Sequence, residues 1–302
     1  MRGYSVEKFE YLLDDDKQLI ALGWENAYHQ SIHFPEQVLQ ALKFSEQITI
    51  NYHLPQKIFI WQSGCVNNLL IQMINYIYKD IIPIIKIDEI PKIWDSKDSL
   101  LIIPDFHQEL ARVPDDDKII YLTGKKMLHE FQNTNCYSFP QIPANEGLGI
   151  FLGFISGFLD KLSGSDHNNI INKIVAMGMQ KAGVLAWRQP YKANFAKIWA
   201  VQLASAESWQ ITSTQPKFEI ICQYWQNKLE KWSGIKSIAG NQIYLEKMYP
   251  TGTLSKKSKG AEIIFADGVD LVSQLISLYY FINCLSIYIS IIKKIDYQEI
   301  KT

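Results

Sequence analysis

The chain has 302 residues, 47% hydrophobic and 20% charged. That balance excludes a disordered or fibrous protein, and the length suits two α/β lobes better than one compact core. Lys plus Arg number 30 against 31 Asp plus Glu, so the net charge of -1 supplies no overall field for DNA or RNA, and no nucleic-acid partner is expected.

Cys65, Cys136, Cys222 and Cys284 lie far apart, with no CxxC or Cys/His spacing, so neither a metal site nor a disulfide framework is expected and no cofactor is implied. The opening MRGYSVEKFEYLLDDDK lacks the apolar core of a signal peptide, and the expectation is a cytoplasmic protein with reduced thiols.

The first stretch reads as helical. Phe9, Leu12 and Leu13 recur at helical spacing, and so do Val38, Leu39 and Leu42 behind Pro35. Then come short continuous apolar runs: KIFIWQ (57–62), IPIIKI (82–87), SLLIIP (99–104) and KIIYLTG (118–124). Runs without alternation suit strands buried on both faces, as in a parallel sheet. A helix carrying Leu69, Leu70, Met73 and Ile77 stands between the first two, the pattern of a βαβ unit. Leu148 to Leu162 reads as an apolar helix with Gly149, Gly153 and Gly157 on one face. That bare stripe suits a close helix or subunit contact, or tight packing inside a core.

Ser163-Gly164-Ser165-Asp166 marks the expected lobe boundary, giving residues 1–163 and 164–302. The second half repeats the plan. AGVLAW (182–187) and WQITST (209–214) read as strands, Tyr191 to Ala204 and Lys217 to Trp232 as helices, and NQIYLEKM and AEIIFAD as further strands. GTLSKKSKG (252–260) reads as a polar surface loop, or as a loop that seeks phosphate at a cleft mouth. Leu271 to Ile292 is nearly long enough to span a bilayer. It carries Gln274, Ser277, Asn283, Ser286 and Ser290, which are costly in lipid, so a buried helix is expected rather than a membrane anchor.

Several strings resemble the bifunctional phosphoglucose/phosphomannose isomerase family. They are FPEQVLQALKF before the first strand, IFIWQSGCVNNLL at the family's GMGGS loop, and SLLIIPDFHQE at its SxSGNTEE loop. FAKIWAVQLASAES resembles its NENAK helix, and the closing helix places Ser286, Tyr288 and Asp296 in step with the family's last motif. The resemblance implies an α/β protein of two three-layer αβα sugar-isomerase-type lobes with mainly parallel sheets. It also implies a sugar-phosphate ligand and a homodimer.

Aldose–ketose isomerisation needs a carboxylate base, help with ring opening and a cradle for phosphate. Phosphate is usually held by backbone N–H groups and hydroxyls at a helix start. Ser63, Gly64 and Cys65 stand where the resemblance puts that cradle, although one glycine remains and a thiol replaces the hydroxyl. Thr123 and Gly124, followed by Lys125 and Lys126, form a second candidate anion site, and a capped helix start reads equally well there.

Pro104 to Glu109 departs furthest from the family: Asp105 and Glu109 repel a dianion, and His107 is left as a candidate acid. With Trp199 and Gln202 on the family's Trp and Gln, Ser205 falls on the catalytic glutamate, Ala206 on its asparagine and Ser208 on its lysine. A serine does not act as that base without an activating partner. Glu207 is the nearest replacement, and Glu146 is a further carboxylate to consider. Ala144 stands for the family's arginine and Ile220 for its histidine. Losing one acid–base group costs a factor of ~10² to 10⁴. The expectation is therefore a pseudoenzyme or weak isomerase that binds a sugar phosphate. The alternatives are a structural or regulatory partner subunit, or a C-terminally tethered protein.

Overall fold

The computed structural model describes residues 12–49, 53–61, 65–94, 98–105, 116–123, 135–138, 147–204, 208–247 and 262–298. In chain order the elements are α1 (Asp16–Ala21), α2 (Glu25–Ile32), α3 (Phe34–Gln47), β1 (Lys57–Trp61), α4 (Cys65–Tyr78), β2 (Ile84–Ile87), β3 (Ser99–Asp105), β4 (Ile119–Thr123) and β5 (Asn135–Ser138). After these come α5 (Leu148–Ser163), α6 (Asn168–Val184), α7 (Phe195–Ala204), β6 (Ser208–Thr212), α8 (Glu219–Ser233), β7 (Lys236–Lys247), β8 (Glu262–Ala266) and α9 (Leu271–Ile292). Single 3₁₀ turns, Tyr191–Ala193 and Pro216–Phe218, lead into α7 and α8.

The chain forms two compact units, Phe34–Val175 and a second made of Met1–His33 with Ala176–Thr302. The central unit holds a five-stranded sheet of order β2-β1-β3-β4-β5, parallel at every pairing. The apolar runs read from the sequence became β1 to β4. Ile58, Ile60, Leu101, Ile103, Ile119, Ile120 and Leu122 are fully buried, as strands covered on both faces require. Trp61, Leu101, Ile103, Ile119 and Tyr121 pack together on one side, with Phe59, Ile87 and Trp94 against them. β5 carries no apolar run, and the sequence reading passed over it.

The glycine stripe is internal to this unit. It lets α5 lie directly on α3: a Cβ on Gly153 would sit 2.2 Å from the Val38 carbonyl oxygen, and one on Gly149 2.9 Å from that of Phe34. The stripe thus serves a close helix contact that is packed inside the core of this unit. At the far end of α5, Asp160 gathers the start of α6 and the end of α4. Its carboxylate lies 2.6 Å from His167 Nδ1 and accepts the His167 N–H at 3.1 Å. The Tyr78 hydroxyl lies 2.8 Å from the same carboxylate and 2.7 Å from the Ser156 carbonyl. Burial, then that carboxylate, hold the Tyr78 hydroxyl protonated far above the usual tyrosine range.

The second unit is built around α9. Every residue from Val272 to Ile291 is buried, so the helix that passes for a membrane span on length and composition is a core helix. Most of its polar residues have partners: Asn283 accepts from the Tyr224 hydroxyl at 2.7 Å and from Lys228, and Ser290 donates to the Trp232 carbonyl at 2.8 Å. The sheet here is three-stranded and parallel, in the order β6-β7-β8.

One expectation is corrected. AGVLAW is no strand. Its first half ends α6, and Leu185 and Ala186 turn, their carbonyls accepting from Asn194 Nδ2 at 3.1 Å each. A short apolar run does not tell strand from buried turn by itself. The compact units differ from the expected 1–163 and 164–302 pieces, because the first 33 residues pack with the C-terminal part. The Trp24 ring packs within 5.1 Å of Trp232 and 4.7 Å of Tyr297, and its indole N–H donates to the Ile295 carbonyl at 2.8 Å. Lys197, fully buried, donates to Asp14 at 2.7 Å and to the Trp187 and Gln189 carbonyls at 2.7 and 3.0 Å.

Candidate functional site

In the central sheet the strand order reverses between β1 and β3. β2 lies on one side of β1, while β3, β4 and β5 lie on the other. In open parallel sheets the connections leaving the carboxyl ends of strands at such a point diverge, and the crevice between them is where ligands bind. Here those ends are Trp61 and Asp105. Asn67, in the first turn of α4 and 1% exposed, fastens them: its Nδ2 donates to the Pro104 carbonyl at 3.2 Å and, at the long limit, to that of Trp61 at 3.5 Å. The register sets Asp105 beside Thr123 and Thr123 beside Ser138, so one line of residues closes the carboxyl edge.

Several of the expected site residues belong to this edge by chain position. Cys65 is the first residue of α4, the strand-to-helix position expected of it. Thr123 ends β4 and is 4% exposed, so its hydroxyl is part of the sheet's packed edge. Ser63, Gly64, Gly124 and His107 lie outside the described residues, as do Glu207, Glu146, Ala144 and Ser205. The GTLSKKSKG loop lies outside them too. Ile220, at the place of the expected histidine, lies in the first turn of α8. Ser286 and Tyr288 are core residues. The Tyr288 hydroxyl donates to the Leu185 carbonyl at 2.8 Å, and burial raises its pKa well above the ordinary value.

A second strand-to-helix connection carries polar groups that the sequence reading missed. After β6, the Thr214 N–H and hydroxyl donate to the two carboxylate oxygens of Glu246, at 2.9 and 2.8 Å. Glu246 comes from β7 and is 5% exposed. Ser213 donates to the Leu245 carbonyl at 2.6 Å and accepts the Gln215 N–H at 3.0 Å. The Ser-Thr pair after a strand was visible in the sequence. Its carboxylate partner, 32 residues away, was not.

Comparison of the whole structure with solved ones places this arrangement. A glucose-6-phosphate isomerase like protein from Thermus thermophilus superposes with a TM-score of 0.52 at 12% identity, over 94% of each chain. The C-terminal domain of glucosamine-fructose-6-phosphate aminotransferase from Francisella tularensis gives 0.58 at 12% identity, over 90% of this chain and 96% of that one. The chain has the phosphosugar-isomerase-type fold. Tagatose-6-phosphate ketose/aldose isomerase from Escherichia coli matches likewise, at 0.55 and 8% identity over 90% of this chain and 95% of that one. These neighbours carry different activities in their names, so the isomerase-type fold does not single out the bifunctional phosphoglucose/phosphomannose enzymes. No family model and no curated protein matches the sequence.

Proposed function

We propose that this chain is a divergent phosphosugar-isomerase-type protein that binds a sugar phosphate at the carboxyl edge of β1, β3 and β4, with weak or absent isomerase activity. The supporting observation is the reversal of strand order between β1 and β3 in a chain with this fold. In this reading Ser63, Gly64 and Cys65 meet the phosphate at the start of α4, with Thr123 and Gly124 at the neighbouring strand end. Glu207 and His107 are the candidate acid–base groups. The loss of activity follows from Ser205 at the position of the family's base, since a hydroxyl does not accept the C1/C2 proton at neutral pH. If turnover occurs, it is an intramolecular oxidoreduction between aldose and ketose.

The protein acts in the cytoplasm as a homodimer in this proposal; the glycine stripe, being used inside the central unit, lends the dimer no support. A second reading, a non-catalytic partner subunit, draws on the same Ser205.

A coupled assay with glucose, fructose and mannose 6-phosphates, beside calorimetric titration of each, separates these readings. Binding without turnover supports the proposal, and Ser63→Ala should then weaken that binding. Turnover abolished by Glu207→Gln would refute the pseudoenzyme part. No binding of any sugar phosphate would leave the partner role.

A further inference from the structure

The unit built on α9 holds a polar recess of about 410 Å³ at the carboxyl end of β6, against the first two turns of α8. That lies within the volume range of small-molecule pockets, ~300–1,000 Å³. Its polar lining comes from Thr212, Ser213, Thr214 and Gln215 on one side and Glu219, Gln223 and Gln226 on the other.

The chemistry of this lining is selective. A phosphate at a strand-to-helix connection is held by loop N–H groups and hydroxyls. At Thr214 both donors are committed to the carboxylate of Glu246, at 2.9 and 2.8 Å, and the Ser213 hydroxyl is committed to the Leu245 carbonyl. The chain's own buried anion thus takes the donors that a phosphate needs. Among the described residues Glu219 is the one charged group lining the recess, and no Lys, Arg or His lines it. A dianion entering would face the Glu219 carboxylate, with that of Glu246 behind Thr214, and no cation from that lining, which is unfavourable. The other polar groups include the Thr212 hydroxyl and the carboxamides of Gln223 and Gln226. Hydroxyl and carboxamide alike offer donors and acceptors together, the complement of a sugar hydroxyl. Gln226 spends its amide N–H on the Ile211 carbonyl at 2.9 Å, which fixes the side chain against the strand.

We propose that this recess binds an uncharged polyhydroxylated ligand, an unphosphorylated hexose or hexitol, and rejects the corresponding phosphate esters. The site is independent of the sugar-phosphate site proposed for the central unit. The test is a ligand-observed NMR titration of the full chain with glucose, fructose, mannose and sorbitol, with inorganic phosphate as competitor.

The expected result is binding of at least one of these with a Kd of ~1 mM or tighter, a loss of roughly tenfold or more in Gln223→Leu, and no displacement by phosphate. Gln223 is exposed, so this variant should fold. In Glu246→Gln the Thr214 donors face a neutral amide, and phosphate should now compete with the sugar. Failure of all four to bind the wild type, unchanged binding in Gln223→Leu, or displacement by phosphate from the wild type would each overturn the proposal. Binding of sugar phosphates that leaves the bound hexose in place concerns the central unit and agrees with both proposals.

Discussion

Gly153→Ala measures how closely α3 and α5 are packed. The added Cβ would stand 2.2 Å from the Val38 carbonyl oxygen, 2.9 Å from its carbon and 3.0 Å from the Val38 Cα. All three obstacles are backbone, so no rotamer change relieves them. Non-bonded atoms settle near ~3.5 Å, so the helices must part by about 1 Å over this turn. Overpacking of this kind costs ~1–3 kcal/mol and sometimes more, while the better helix propensity of alanine returns ~1 kcal/mol. With a rigid obstacle we expect the upper part of the range, a net loss of ~2 kcal/mol. That lowers the melting temperature of a unit this size by roughly 4–8 °C.

Gly157→Ala meets first the Ser45 Oγ and Leu42 Cδ1, which can turn aside, and then the fixed Ser45 Cβ at 3.2 Å, so it should cost less. Gly183→Ala, in α6 with nothing within 4 Å, should stabilise by ~0.5–1 kcal/mol. Thermal and urea unfolding of the three variants checks the order. A Gly153→Ala protein as stable as the wild type, or losses equal at all three sites, would refute the reasoning.

Asp14→Asn should destabilise more than Lys197→Met in urea titrations. The first strands a charge that is fully buried and already pulled below its ordinary pKa by burial, whereas the Asp14 side chain is 40% exposed and can rehydrate. Asp267 is held below its ordinary pKa of 3.8 chiefly by the hydrogen bond from Lys181 at 2.8 Å. Its contribution to stability is therefore present above that value and disappears as pH falls through the lowered folded pKa. In an NMR pH titration, Lys181→Met should return the carboxyl towards 3.8, with a stability change of ~1 kcal/mol or less because the pair is exposed. Burial, with Glu219 and Glu246 nearby, pushes the Cys222 thiol up to about 12. Cys222 should resist alkylation at pH 8 in the native protein and react on unfolding, as followed by mass spectrometry.

The sequence alone determined the parts of this protein that are local in the chain. Four continuous apolar runs became strands β1 to β4 of the central sheet; for β1, β3 and β4 the reason is that a strand covered on both faces leaves no polar side to alternate with, whereas β2 lies at the edge and is partly exposed. The polar residues of Leu271–Ile292 correctly spoke for a core helix, since most of them found partners that lipid would not have offered. The glycine spacing announced a close contact without saying which helix would fill it.

What only the tertiary structure decided is non-local. AGVLAW is as apolar as a strand, but Asn194 and Tyr288 hold it as a turn. Trp24 and Asp14 join the first residues to the C-terminal part of their unit across more than half the chain. The reversal of strand order between β1 and β3 is a property of the whole sheet. The pairing of Thr214 with Glu246 makes the second connection an occupied anion site, and no local pattern reveals it, because the carboxylate arrives from a strand that the chain reaches only after α8.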